Sequence, residues 1–360
     1  MKRFITILVV CCIGVSMVSC SKQRNRVTVE PVKEFFIRGA DLSFLPEIEQ
    51  RGIKFYTADG TEKDVLSQLS DNGCTTIRVR LWYAPENVKG SLSEVAGFCK
   101  RIKQHNLKVL LDLHYSDTWA DPGSQNTPSA WKNLPLNTLS DSVYSYTRRV
   151  LSLIQPDYVQ IGNEINGGFL WEEGRISREA DFILLLKSGV KAARDYSPTI
   201  KIILHYAGLT GGSWFFGMLQ KNTVDYDIMA LSYYPVWHGT DMNLLQMTLQ
   251  ELVSLTAKEV MVVETAYPFT LQWNDYTNNI VGLDSQLVMG YPASRTGQLD
   301  FISALKNSLI QMPKGVGFCY WGGEWVAYKG VQATTGSSWE NQALFDFNNL
   351  ALPAMQVFNK

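Results

Sequence analysis

Two glutamates each close a short apolar run: Glu164 ends Val159-Gln160-Ile161-Gly162-Asn163-Glu164, and Glu264 ends Val260-Met261-Val262-Val263-Glu264. A carboxylate at the end of a buried strand is unfavourable unless it is paired or used. Two of them facing one cleft can carry out glycosidic chemistry. One holds a proton for the leaving oxygen, while the other stays ionised to attack the anomeric carbon or activate water; their repulsion separates the two pKa values. The other apolar runs end in polar and aromatic residues: Arg78 and Arg80, Asp112 and His114, Asn163, His205, Tyr233 and Tyr234, Trp321. Each has a bland reading on its own. A lone strand-end histidine is more often structural, and either arginine can plug a barrel against a carboxylate such as Asp112. The convergence of so many is what singles them out.

The elements that must position them repeat. Eight short runs rich in β-branched residues read as strands: Phe35 to Ser43, Thr75 to Trp82, Lys108 to Ser116, Tyr158 to Glu164, Lys201 to Gly208, Ile228 to Pro235, Val260 to Pro268 and Gly315 to Tyr320. Between them, 3.6-type spacing predicts helices over Glu62 to Ser70, Ser93 to His105, Asp141 to Ile154, Arg178 to Tyr196, Leu244 to Ala257 and Thr296 to Gln311. Continuous apolar strands imply burial on both faces, as in a parallel sheet covered by helices. No G-x-G-x-x-G follows the first strand, so a doubly wound dinucleotide fold is disfavoured. The expected fold is a single-domain (β/α)8 TIM barrel over residues 35–360, with chemistry at the carboxyl ends of the strands. The longest break, Phe269 to Arg295, reads as an elaborated loop on the catalytic rim.

Composition narrows the partners. Hydrophobic residues are 46% and charged residues 19% of 360, enough for a large core and too little charge for a disordered chain. With 33 Lys+Arg against 34 Asp+Glu there is no basic field for nucleic acid. The 10 Trp, 16 Tyr and 16 Phe supply ring surface suited to the apolar faces of sugars, although most must simply fill the core. At the start, Lys2 and Arg3 precede an apolar stretch, Ile5 to Val18, that is too short to span a bilayer. Ser19-Cys20 and the polar run after it resemble a bacterial lipobox, although Met17 and Val18 are atypical there. Residues 1–20 therefore read as a lipoprotein signal peptide with Cys20 as the acylated residue, and 21–34 as a flexible tether. The expectation is an exported outer-membrane lipoprotein, at the cell surface rather than in the periplasm, whose only membrane contact is the lipid. Cys74, Cys99 and Cys319 show no C-x-x-C spacing and read as buried thiols.

Several stretches together resemble glycoside hydrolase family 53, the endo-β-1,4-galactanases. They are Gly39-Ala40-Asp41-Leu42-Ser43, Arg78-Val79-Arg80-Leu81-Trp82, Asp112-Leu113-His114-Tyr115-Ser116-Asp117-Thr118-Trp119-Ala120-Asp121-Pro122, Gln160 to Glu164, Ser232-Tyr233-Tyr234-Pro235 and Glu264-Thr265-Ala266-Tyr267-Pro268, with a weaker match at Tyr320-Trp321. The long third-strand motif is the most specific. The resemblance implies cleavage of internal β-1,4-galactosyl bonds in pectic galactan by a retaining mechanism, with Glu164 as acid/base and Glu264 as nucleophile. It implies that Asn163 bonds the sugar 2-OH. Arg80 and Tyr234 would hold Glu264 ionised, with Arg78 and Tyr233 as neighbouring alternatives. His114, Tyr115, Asp117, Trp119, His205, Trp237 and Trp321 would be subsite residues. The expected partner is the polysaccharide, the chain acting as a monomer without a cofactor. Two stretches depart from the family. Some bacterial members carry a calcium loop after the nucleophile strand, where residues 271–279 here hold one carboxylate. The eighth strand ends Tyr320-Trp321-Gly322-Gly323-Glu324-Trp325 in place of Tyr-Trp-Glu-Pro.

Mannan- or xylan-cutting relatives would share both glutamates, and only the subsite motifs argue against them. A zinc-dependent barrel hydrolase needs His-x-His on the first strand, where Arg38-Gly39-Ala40-Asp41 stands. A non-catalytic glycan-binding lipoprotein would have no use for both glutamates.

Overall fold

The computed structural model describes residues 36–360. The expected signal peptide, acylated Cys20 and tether lie outside the described residues. Eight parallel strands close into a barrel in sequence order: β1 (Ile37–Asp41), β2 (Thr76–Leu81), β3 (Lys108–Leu113), β4 (Tyr158–Ile161), β5 (Lys201–Ala207), β6 (Ile228–Ser232), β7 (Glu259–Thr265) and β8 (Gly315–Trp321). The ring closes where β1 pairs with β8 from Ile37↔Gly317 to Asp41↔Trp321. The fold is a single-domain (β/α)8 barrel, as the strand pattern predicts. All eight strands begin within two residues of the expected start, and all but β8 end short of the expected end, because the chain turns into polar loops before the motifs finish.

The helices are α1 (Leu45–Gln50), α2 (Val65–Asp71), α3 (Leu92–Gln104), α4 (Leu136–Ile154), α5 (Glu179–Tyr196), α6 (Gly212–Lys221), α7 (Pro235–His238), α8 (Met242–Thr256) and α9 (Arg295–Gln311). Several start on a side-chain cap: Asp64 accepts from Ser67 N–H, Ser91 from Glu94 N–H and Ser294 from Gly297 N–H. The sequence pattern misses α6, which opens on Gly211-Gly212 with no side-chain cap and is anchored instead by buried Phe215, Phe216 and Leu219.

Alternation along the strands divides the barrel interior into layers. Ile37, Leu110, Tyr158 and Ile203 belong to an apolar cluster separate from the large core under the helices. Two residues further along three of the same strands, Asp112, Gln160 and His205 replace them, and Asp41 stands four beyond Ile37. The barrel is therefore apolar at its floor and charged near its mouth. Gly39 marks the tight middle: a Cβ there would meet Cys319 Sγ at 2.3 Å. Cys74, Cys99 and Cys319 are free and buried.

Candidate active site

Both glutamates reach the mouth through local irregularities. Between β6 and β7, Leu231 pairs with Val262 but Ser232 with Glu264, so β7 carries one extra residue and the bulge turns Glu264 inward. After β4, Gly162 takes φ +80° and Glu164 itself φ +46°, a left-handed conformation unfavourable for a residue with a side chain. A Cβ on Gly162 would meet Ile165 Cγ2 at 2.5 Å. The turn thus requires glycine and presents Glu164 to the cleft.

Glu164, His205 and Glu264 each bring one polar atom within 4.8 Å of the other two. Arg78 sits beneath them, fully buried. Its Nη1 contacts Glu264 Oε1 and Asp41 Oδ2 at 2.8 Å, its Nη2 donates to Asp112 Oδ2 and Asn163 Oδ1 at 2.8 Å, and its Nε to Gln160 Oε1 at 3.2 Å. Tyr234 OH donates to Glu264 Oε2 at 3.0 Å. Glu164 Oε1 accepts from Ser232 Oγ at 2.5 Å, and Ser232 Oγ lies 2.8 Å from His205 Nε2.

Burial raises both glutamate pKa values, and the Glu164 carboxylate adds to the rise at Glu264. A guanidinium and a phenol both bond Glu264 and favour its ionised form, whereas Glu164 has the single hydroxyl of Ser232. The three converging donors could in principle bind a metal, but each is engaged in this network, and the Arg78 cation opposes a second positive charge at Glu264.

Other expected residues divide between the cleft and its supports. The cleft, about 280 Å³, is lined by Asp41, Arg78, Arg80, His114, Trp119, Asp121, Asn163, Tyr234, Trp237, Trp321, Trp325 and Trp339 along with the two glutamates. Arg80 does not touch Glu264. Its guanidinium lies 4.3 Å from the rings of Phe44 and Trp119 and 4.8 Å from Trp82, which corrects the expectation that it holds the nucleophile. Tyr233 turns away to donate to Gly239 O. Three expected subsite residues are not in the cleft. Tyr115 is buried with its OH 2.6 Å from Thr147 Oγ1, because its backbone takes φ +51° and directs the ring toward α4. Asp117 accepts from Ala84 and Ser129 N–H and ties loops together. His205 is fully buried behind Glu164 and does not line the cleft.

Trp325, Trp339, Asp121 and Ser232 went unrecognised as site residues. Trp325, Asp121 and Ser232 sit inside the strand-end motifs, but Trp339 lies in the aperiodic segment after β8, which carries no signal. Glu324, the departure from Tyr-Trp-Glu-Pro, is buried behind the wall and accepts from Phe44 N–H at 2.8 Å; burial pushes it up to about 8.

The loop after β7 does flank the site. Ile280 N–H donates to Ser338 O and Phe269 N–H to Asn341 O, so the loop braces the segment that carries Trp339. Glu340 there joins Asp275, the carboxylate of the loop, and accepts from Asp275 N–H. Asp275 Oδ2, Asn279 Oδ1 and Glu340 Oε2 are buried without hydrogen-bond partners among the described residues. Their oxygens fit a hard cation such as calcium, which would tie the loops after β7 and β8 together. None of the three lines the cleft.

The glycosyl hydrolase family 53 model matches residues 37–358. The chain belongs to glycosyl hydrolase family 53. It is 37% identical over 345 residues to an arabinogalactan endo-beta-1,4-galactanase of Cellvibrio japonicus, covering 90% of each chain. It is 33% identical to an endo-beta-1,4-galactanase of Bacillus subtilis, covering 92% of this chain and 87% of the relative. The Ignisphaera aggregans GH53 catalytic domain superposes with TM-score 0.86 at 40% identity, over 93% of this chain and 98% of that one. A fungal β-1,4-galactanase structure gives 0.78 at 30% identity, over 90% and 99%. Membership of the family agrees with the two-carboxylate cleft and with the motifs at the strand ends.

Proposed function

We propose that this glycosyl hydrolase family 53 chain is a retaining endo-β-1,4-galactanase, with Glu264 as nucleophile and Glu164 as acid/base. The observation that carries the mechanism is the approach of the two carboxylates, within 4.8 Å through one oxygen each. Retaining enzymes hold them about 5 to 5.5 Å apart, whereas inverting enzymes leave room for a water at roughly 6.5 to 9.5 Å. Glu264, kept ionised by Arg78 and Tyr234, attacks the anomeric carbon while Glu164 gives its proton to the departing galactosyl oxygen. Glu164, then ionised, takes a proton from the water that releases the product. Asn163 is fixed by Arg78 on Oδ1 and by Ala120 O on Nδ2, and its second Nδ2 hydrogen is left for a sugar hydroxyl. Trp119, Trp237, Trp321, Trp325 and Trp339 offer ring faces, and His114 and Arg80 polar edges, to the chain on either side of the scissile bond.

The galactan substrate rests on the named galactanases to which the chain is similar. The N-terminal signal and Cys20 support a lipid-anchored enzyme exported to the cell surface, acting as a monomer on a polymer too large to cross the envelope. Trapping with a 2-fluoro galactosyl donor should label Glu264. Label on another residue, or greater turnover of mannan or xylan than of galactan, would refute the corresponding part of this reading.

A further inference from the structure

We propose that His205 and Ser232 are positioning residues that fix both the backbone and the carboxyl orientation of Glu164, so that the proton it gives and recovers sits on Oε2. The proposal rests on the acid/base role of Glu164. His205 touches the Glu164 turn at three points. Its carbonyl accepts from Ile165 N–H at 3.0 Å, its Nδ1 accepts from Glu164 N–H at 3.3 Å, and its Nε2 lies 2.8 Å from Ser232 Oγ, which donates to Glu164 Oε1. The two backbone bonds bracket the residue held at φ +46°, where they oppose relaxation to an ordinary conformation.

The same contacts set the tautomer. Because Nδ1 receives the Glu164 N–H, the imidazole proton belongs on Nε2, from which it donates to Ser232 Oγ. Asn163 Oδ1, 3.0 Å from Nδ1, is already bonded to Arg78 and does not require that proton. The serine hydroxyl accepts from His205 on one of its two lone pairs, and with Nε2 protonated its own hydrogen goes to Glu164 Oε1. That oxygen then accepts whether the carboxyl is ionised or neutral, and the transferable proton is left to Oε2. Burial keeps His205 neutral, so the chain adds orientation without charge.

The test uses Ser232→Ala. The groups facing Glu164 and His205 remain in the variant: Arg78 from β2, Asp112 from β3, His114 and Asp121 from the loop after it, Tyr234 from the turn after β6, His238 from α7 and Glu264 from β7. A donor to the carboxylate favours its ionised form, so its loss should raise the pKa of Glu164 and move the alkaline limb of kcat/KM to higher pH. On galactan kcat/KM should fall about tenfold, the loss expected for one charge-assisted hydrogen bond. A dinitrophenyl β-galactobioside, whose leaving group needs no proton, should lose much less. Ser232→Thr should restore the wild-type limb.

Nitrogen-15 NMR of histidine-labelled wild-type enzyme should show His205 as the neutral Nε2–H tautomer across the active pH range. An Nδ1–H tautomer, or equal losses on both substrates with an unmoved limb, would overturn the proposal. The NMR result holds even if Ser232→Ala does not fold. Glu164→Ala separates the two levels: full activity of that variant on galactan defeats the acid/base assignment itself. Its inactivity on galactan, alongside an unmoved limb in Ser232→Ala, defeats only the positioning role.

Discussion

The Arg78 guanidinium reaches Glu264 Oε1 at 2.8 Å from beneath, while Arg80, two residues further along the same strand, never meets it. Both point into the barrel, one layer apart. The lower arginine neutralises Asp41 and Asp112 as well, so one cation serves three carboxylates.

Arg78→Met should leave those carboxylates buried without their partner and destabilise the fold by about 3–5 kcal/mol. In whatever folds, Glu264 loses the charge that keeps it ionised, its pKa rises, and the acidic limb of kcat/KM moves to higher pH. Arg80→Met should leave that limb in place and act on KM. Unfolding and pH profiles of the two variants check this; a larger limb shift from Arg80→Met would contradict it.

The wild-type pH profile should be bell-shaped, with apparent values that belong to the coupled pair. Activity needs Glu264 ionised and Glu164 protonated. It should therefore fall as acid protonates the nucleophile and again as alkali strips the acid, the second limb lying above the ordinary carboxylate range because burial raises Glu164. Glu164→Gln should flatten the alkaline limb for an aryl galactoside with a good leaving group. Persistence of that limb would assign it to another group.

Gly39→Ala places a Cβ 2.3 Å from Cys319 Sγ and within 3.3 Å of two carbonyl oxygens in the barrel wall. The thiol is packed inside the barrel and the carbonyls belong to its wall, so neither has room to retreat, and the expected destabilisation is about 1–3 kcal/mol. Gly52→Ala, an exposed left-handed position with nothing within 4 Å, should lose only its conformational preference, about 1 kcal/mol. Thermal unfolding of both gives the comparison, and an equal or smaller effect at Gly39 would show that the wall yields.

Acylation at Cys20 would make the expressed protein sediment with membranes and resist a salt wash, since each buried methylene adds about 0.8 kcal/mol. Cys20→Ala should release soluble, fully active enzyme. Recovery of the wild type wholly in the soluble fraction would rule the anchor out.

The barrel was legible because each strand is a short, mostly apolar run buried on both faces, a pattern that survives without knowledge of its neighbours. The glutamates were legible because charge ends an apolar run. Which arginine meets Glu264 was not, since residues two apart on a strand face the same way and only depth within the barrel distinguishes them. Tyr115 illustrates a different limit: it follows His114 in a sugar-binding motif, but a positive φ at that residue sends its ring out of the cleft, and no side-chain pattern encodes that turn. Trp339 was hidden for the opposite reason, because it arrives on an irregular segment held in place by distant backbone bonds. His205 looked like a sugar ligand, and its full burial behind Glu164 became evident only once β5 and β6 were placed side by side.

The pairing of β1 with β8 also bears on how the chain must fold. Ile37 and Gly317 are hydrogen-bonded neighbours separated by nearly the whole described sequence, and Phe318 stacks on Phe358 just outside the ring. A chain emerging from the ribosome amino end first can build its early βα units, but its first strand keeps an open edge until the eighth has been made. Contacts of such separation are slow to form, and an unpaired edge invites wrong partners in the meantime. The seam between β1 and β8 is therefore the joint where synthesis order, folding rate and risk of aggregation meet.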